Sequence, residues 1–272
     1  MTKISVIITH HQTLELLDLC LKSIKKNIGD LEYEIIVVDS ESQKKNQEFL
    51  KYEHPEIKLI AFKKNLGYSK IINAGLKEAT RLDSARQEGE YILILNADII
   101  VLDGTISEML KYIEKDKSIG IIGPQLLDFT NNIQISCFST PSIGAILARR
   151  TFLGKTKWGK NALAKFTISD WGRNSVKEVN WVQGSAMLVR KKAFEKVGLW
   201  DERFFMYFED ADWCRRFWEN GFKVVYLPNA KMVHYYHRSS KKWGAFLDVF
   251  LNKHARIHII SAIKYFWKYK KN

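Results

Sequence analysis

Four short apolar runs, each closed by polar residues, frame the first hundred positions. They are Ile4 to Ile8, Glu34-Ile35-Ile36-Val37-Val38-Asp39, Ile57 to Phe62, and Tyr91-Ile92-Leu93-Ile94-Leu95 followed by Asn96-Ala97-Asp98. Runs this short and continuous read as strands buried on both faces of a parallel sheet. Between them, apolar residues recur at helical spacing. Leu14, Leu17, Leu21 and Ile24 predict a helix over 14–28, and Asn65-Leu66-Gly67-Tyr68-Ser69 predicts a turn into a helix over 70–81. This β-α-β-α-β alternation implies an α/β fold with right-handed crossovers.

The second half continues the pattern less regularly. A helix is expected over 106–115, then a short strand at Gly120 to Pro124, strand-like pattern from Val179 to Val189, and a short helix over 191–197. The aromatic run Phe204 to Phe208 leads into a helix over 211–220 capped by Gly221, and Lys223 to Pro228 reads as another strand. Residues 141–177 have little periodicity and are read as a long basic loop or lid with some helix. The tail, 241–272, reads as one basic amphipathic helix with Phe246, Val249, Phe250, Ile257, Ile260, Ile263 and Trp267 near one face. Such a helix either lies on a membrane surface or packs on its own domain. The chain divides into two halves of one domain, 1–120 and 121–240, followed by that helix.

Charge narrows the partners. The 43 basic and 30 acidic residues leave a formal charge of +13, which favours an anionic partner: nucleic acid, a phosphorylated ligand or an anionic membrane. Three widely spaced cysteines (Cys20, Cys137, Cys214) form no CxxC pair, which argues against a disulfide framework or a cysteine zinc site. The opening residues carry no signal-peptide pattern and no stretch has the length of an apolar membrane span, so a cytoplasmic protein is expected.

The candidate chemistry lies where apolar runs end. Asp39, Asp98 and the pair Glu209-Asp210 each follow one, and a doubly wound sheet gathers such ends on one edge, where ligands bind. Converging carboxylates suit Mg²⁺ or Mn²⁺, with phosphate oxygens completing the shell. His234, after a strand, is the best histidine to join them; His10, His11 and His237 are weaker. An Asx turn after the strand of Asp98, a helix-dipole role for Glu209-Asp210 and a structural role for His234 are the plainer alternatives. A carboxylate beside the apolar wall of Phe204 to Phe208 and Trp213 would have a raised pKa and serve as a general base.

Seven motifs stand in a familiar order: Thr9 to Gln12, Val38-Asp39-Ser40, Asn65-Leu66-Gly67, Asn73-Ala74-Gly75, Leu95-Asn96-Ala97-Asp98, Gly184 to Arg190, and Phe205 to Asp212. Over roughly residues 3–240 the chain resembles family 2 glycosyltransferases, particularly the bacterial rhamnosyltransferase branch. The resemblance implies a GT-A fold, a nucleotide-diphosphate sugar donor, a divalent cation and inversion at the anomeric carbon. It places Thr9, Asp39, Asn65, Gly67, Asn73, Asn96 and Asp98 on the donor side, and Trp181, Gly184 and Glu209 on the acceptor side. It makes Asp210 the base, and Asp98 and His234 metal ligands. Asn96 departs from the family's Asp-X-Asp pattern by replacing the first aspartate, which removes one charge from the metal site.

The expected donor is dTDP-rhamnose or a UDP-sugar. The expected acceptor is a surface polysaccharide or a lipid-linked saccharide, with the protein peripheral on the inner face of the cell membrane. A non-catalytic nucleotide-sugar or glycan-binding module is the alternative, favoured by Asn96. A nucleic-acid-binding protein is disfavoured, because no recognisable nucleic-acid module is present and the basic residues gather at 149–177 and in the tail.

Overall fold

The computed structural model describes residues 3–80, 90–235 and 252–270. Its strands form one continuous sheet in the order β3 (Lys58–Phe62), β2 (Glu32–Ser40), β1 (Lys3–His10), β4 (Tyr91–Asn96), β10 (Ala186–Arg190), β6 (Ile119–Leu127), β11 (Lys223–His234), β5 (Ile99–Val101). The first four are parallel. β10 enters antiparallel between β4 and β6, and β6 and β11 are again parallel. Strands from both halves of the chain therefore share one sheet. The short β8 (Lys177–Glu178) pairs with β11, and β7 (Cys137–Phe138) pairs separately with β9 (Trp181–Val182).

The apolar runs alternate between two cores because successive strand side chains point to opposite faces. Val6, Ile8, Leu93 and Leu95 face α1 (Leu14–Asn27) and α4 (Thr105–Glu114). Ile7, Ile92 and Ile94 face α3 (Tyr68–Ala79), α7 (Lys191–Val197) and α8 (Glu209–Glu219). α2 (Lys44–Glu53) lies between β2 and β3 in the chain. The predicted short strand at 120–124 is a nine-residue, fully buried strand.

The region read as a loop or lid is more regular than its sequence pattern. α5 (Ile143–Arg150), a 3₁₀ turn (Phe152–Lys155) and α6 (Lys157–Thr167) occupy most of it. Ser142, Thr151 and Thr156 accept hydrogen bonds from backbone N–H groups at the three starts. The elements are short and several large apolar side chains stay exposed, so periodicity does not announce them.

The tail helix is shorter than expected. α9 spans Lys253–Lys268, with Asn252 as its N-cap. Ala255, His258, Ser261, Ala262 and Tyr265 are buried, the last two against Phe204, Phe208 and Ala211. Ile260, Ile263 and Trp267 face away and are exposed. The helix thus has one buried face and one exposed apolar stripe. Phe246, Val249, Phe250 and His237 lie outside the described residues. The three cysteines are buried and unpaired.

Candidate active site

The parallel strands end on a common edge. β1–β4 pairing sets Thr9 opposite Asn96, and β1–β2 pairing sets His10 opposite Asp39. Thr9 Oγ1 donates to Asn96 Oδ1 over 3.1 Å. The Thr13 amide donates to His10 Nε2 (3.0 Å), so the ring carries its proton on Nδ1 and donates it to Asp39 Oδ1 at 2.7 Å. Asp39 is buried, and its Oδ2 has no hydrogen-bond partner among the described residues. It is an acceptor held ready at the sheet edge. His10 thus orients Asp39, while exposed His11 pairs with Glu41.

After Asn96 the chain turns into β5, which pairs with the end of β11 and sets His234 opposite Ile99. His234 Nε2 lies 3.6 Å from Asp98 Oδ1. Gln134 fixes the imidazole: its Nε2 donates to the His234 carbonyl at 2.9 Å, and its Oε1 accepts from Nδ1 at 3.0 Å. Nε2 is thereby left as the unprotonated nitrogen turned to Asp98, a common arrangement around metal-binding histidines. Burial raises the Asp98 pKa to about 6 and lowers that of His234 to about 4. Near neutral pH the pair is carboxylate plus neutral imidazole, the forms that ligate a cation. Asp98 Oδ1 is buried without a hydrogen-bond partner among the described residues, so the donor set fits Mg²⁺ or Mn²⁺. No cluster of three such ligands occurs among the described residues.

The second centre lies at the start of α8. Tyr207 and Phe208 both have positive φ (71° and 69°), a strained conformation for large side chains. The surroundings hold it in place. Ser261 Oγ donates to the Met206 carbonyl at 2.8 Å, and Phe208 packs on Tyr265 of α9. This turn delivers Glu209 and Asp210 into the interior, where both are buried. Asp210 Oδ2 accepts the Gly184 N–H at 2.9 Å and its Oδ1 accepts the Ala211 N–H at 2.8 Å. A Cβ on Gly184 would sit 2.9 Å from Trp200 and 3.2 Å from Asp210 Cβ, so only glycine allows this approach. Burial raises the pKa of both acids. Asp210 keeps the two backbone donors that favour its anion, while Glu209 also meets the charge of Asp210.

Tyr68, which the sequence analysis did not single out, joins the two centres. Its hydroxyl lies 2.7 Å from Asn96 Oδ1 and 2.9 Å from the Gly184 carbonyl. Glu209, Asp210 and Asp98 all act electrostatically on it, and with burial they raise its pKa. Its only sequence signal is its place directly after Asn65-Leu66-Gly67. That turn has a local role: Asn65 Oδ1 accepts the Gly67 N–H (3.0 Å), and Gly67 (φ 87°) lies against Phe205, whose carbonyl accepts the Tyr68 N–H at 2.6 Å. A side chain on Gly67 would meet that carbonyl.

Asn73, expected on the donor side, has its side-chain amide bonded within the fold. Its Oδ1 accepts the Trp200 N–H, and its Nδ2 reaches the Trp200 carbonyl and Glu202. It is buried, fastening α3 to the segment before the carboxylates rather than facing the edge. Trp181 stacks on Phe138 at 4.5 Å between ring centres and packs against the Phe204–Phe208 cluster. Trp213 belongs to the core beneath, tilted against Trp200.

The sequence pattern of Glycosyl transferase family 2 matches residues 5–198, and the chain belongs to that family. Relatives by sequence include N-acetylglucosaminyl-diphospho-decaprenol L-rhamnosyltransferase of Mycobacterium tuberculosis, 27% identical over 206 residues. That match covers 74% of this chain and 66% of the relative. Rhamnosyltransferase WbbL of Escherichia coli K12 is 28% identical over 65% of this chain and 62% of its own length. dTDP-rhamnosyl transferase RfbF of Shigella flexneri is 24% identical over 85% of this chain and 68% of its own length. The chain thus spans just under two thirds of the first two of these relatives. Among solved structures, mannosyltransferase PcManGT from Pyrobaculum calidifontis, in complex with GDP-Man and Mn²⁺, superposes with a TM-score of 0.55 at 17% identity. The superposition covers 96% of this chain and 64% of that one. S. aureus TarS gives 0.55 at 15% identity, covering 86% and 60%. The fold is GT-A.

Proposed function

We propose that the protein is an inverting glycosyltransferase. It moves a sugar, rhamnose favoured, from a nucleotide-diphosphate donor to a hydroxyl of a surface-polysaccharide or lipid-linked saccharide acceptor. The reading rests most on one observation: the Tyr68 hydroxyl bridges Asn96, beside the Asp98–His234 pair, and Gly184, whose amide holds Asp210. A donor-phosphate site and a buried base are thereby held in one rigid frame. The rhamnosyltransferase names among the relatives support the sugar, and dTDP-rhamnose is preferred to a UDP-sugar on that ground.

In this reading Asp39 accepts from the nucleotide base and Asn96 contacts the ribose. Asp98 and His234 hold Mg²⁺ or Mn²⁺, which when bound offsets the charge of the diphosphate. Asp210 takes the proton of the acceptor hydroxyl, whose oxygen bonds to the anomeric carbon as the bond to the diphosphate breaks on the opposite face. The sugar carbon inverts without a covalent enzyme intermediate, and the nucleoside diphosphate leaves. Trp181 and Glu209 flank the acceptor. Asn96 keeps a hydrogen-bonding group where the family pattern has a charge, so the cation depends more on Asp98 and His234.

A lipid-linked acceptor would bring this chemistry to the inner face of a membrane. The deciding experiment is a donor screen that measures nucleoside diphosphate release with dTDP-rhamnose and UDP-sugars, with and without Mg²⁺ or Mn²⁺. Acceptor-dependent release from one donor is expected. Donor binding without release under any condition would favour a binding module.

A further inference from the structure

Seven of the large exposed apolar side chains among the described residues lie on α5, the 3₁₀ turn, α6 and α9. On α5, the 3₁₀ turn and α6 they are Ile143, Leu147, Phe152 (77% exposed) and Trp158 (53%). On α9 they are Ile260, Ile263 (63%) and Trp267 (78%). Exposure of this kind in a contiguous region marks an interaction surface.

The two groups belong to neighbouring elements. Ile146 of α5 packs into the same cluster as Ala262 and Tyr265 of α9, together with Phe208 and Ala211 beside Asp210. Arg149 and Arg150 of α5 act electrostatically on His258 of α9. Trp158 lies over Gly144, where a Cβ would meet the indole at 3.2 Å, so α6 brings its tryptophan to α5. α9 keeps one face for its own domain and turns a second apolar stripe outward.

The two stretches are strongly basic in sequence. Residues 143–168 carry six basic side chains (Arg149, Arg150, Lys155, Lys157, Lys160, Lys165) and no acidic one. Residues 252–270 carry five (Lys253, Arg256, Lys264, Lys268, Lys270) and again no acidic one. Lys268 is taken up by Asp201 and Asp212; the remaining basic side chains, interleaved with exposed Trp, Phe and Ile, match an anionic bilayer: headgroups meet the cations, and the aromatic and aliphatic tips enter the interfacial region. No helix of the described residues is long and apolar enough to cross a membrane, so this face would lie on the bilayer rather than span it.

We infer that α5, the 3₁₀ turn, α6 and the outer face of α9 form one bipartite docking face for an anionic lipid surface. Trp158 and Trp267 are its inserting residues. The tail is only half of this face. The inference does not depend on sugar transfer, and its test uses neither donor nor acceptor.

The test compares the full chain with Trp158→Glu/Trp267→Glu, whose two sites are more than half exposed, and with Lys157→Gln/Lys160→Gln. Each is sedimented with phosphatidylglycerol-containing and with pure phosphatidylcholine vesicles, and melting is followed in parallel. The wild-type chain should sediment with the anionic vesicles and far less with the neutral ones. The tryptophan variant should lose at least about tenfold in affinity with its melting temperature unchanged, because two interfacial aromatic anchors are replaced by charges that the same headgroups repel. The lysine variant should bind more weakly and with a shallower salt dependence. Three results would overturn the inference: no wild-type binding to anionic vesicles, equal binding by the tryptophan variant, or a wild-type dimer that the tryptophan substitutions dissolve.

Discussion

Lys268 in α9 donates to Asp212 Oδ1 over 2.5 Å, two residues beyond the proposed base. Asp212 is fully buried and also accepts from Arg216 (2.9 Å) and Tyr269 (2.8 Å), while Lys268 reaches Asp201 at 2.8 Å. The C-terminal helix is thus bonded to the helix that carries Glu209 and Asp210. It is part of the fold as well as half of a surface.

Lys268→Met should therefore destabilise the protein by about 1–3 kcal/mol, because a buried carboxylate loses one of its donors. Asp212→Ala should cost more, about 3–5 kcal/mol, since it strands Arg216 and Lys268 around an uncharged site. Urea unfolding of the two variants checks the order. Equal midpoints for Lys268→Met and wild type would mean that α9 contributes through its apolar contacts alone.

Asp210→Asn should lower transfer by at least about a hundredfold, the usual contribution of a general base. Donor binding, measured by calorimetry, should stay near normal. The amide keeps the shape and its oxygen still accepts one of the two backbone N–H groups, but its NH2 faces the other, so melting is followed alongside. Transfer within tenfold of wild type would remove Asp210 from the role.

The pH profile carries a sign. The base must be ionised, and burial raises the Asp210 pKa above the ordinary aspartate value. Activity should therefore fall as pH drops, beginning at a higher pH than a solvated aspartate would impose. If the limb belongs to Asp210, Glu209→Gln should leave it in place while changing acceptor KM. A limb that moves with Glu209→Gln would show that the proton belongs to the pair.

Asp98→Ala should weaken Mn²⁺-dependent donor binding and activity together, and His234→Ala should do so less severely. Gln134→Ala should weaken Mn²⁺ binding about tenfold, because it frees the imidazole to change tautomer. Titration of Mn²⁺ in the presence of nucleoside diphosphate reads all three. Full activity in excess chelator would rule out the metal site.

Gly67→Ala should cost at least about 1 kcal/mol, because alanine resists the positive φ and its methyl would meet the Phe205 carbonyl. The Tyr68 hydroxyl would shift with it. Transfer should therefore fall further than the melting temperature suggests, and a variant as active as wild type would uncouple Tyr68 from the site.

The α/β alternation, the edge carrying Asp39 and Asp98, and the boundaries of α1 and α3 are legible along the chain. These features are local: a buried parallel strand needs a continuous apolar run, and its first polar residue marks the edge. Asp210 is legible only as a carboxylate after an aromatic run. One of its two amide donors is its neighbour Ala211, but the other is Gly184, 26 positions earlier in the chain. Tyr68, Gln134 and the inward use of Asn73 have no local signature, because each acts through partners from 28 to 127 positions away. The 141–177 region hid two helices, and the tail hid its division into an inner and an outer face. A short helix with apolar residues on more than one side has no single period to read. Which side meets the core is settled by neighbours such as Phe208 and Ile146, distant in sequence and adjacent only after folding.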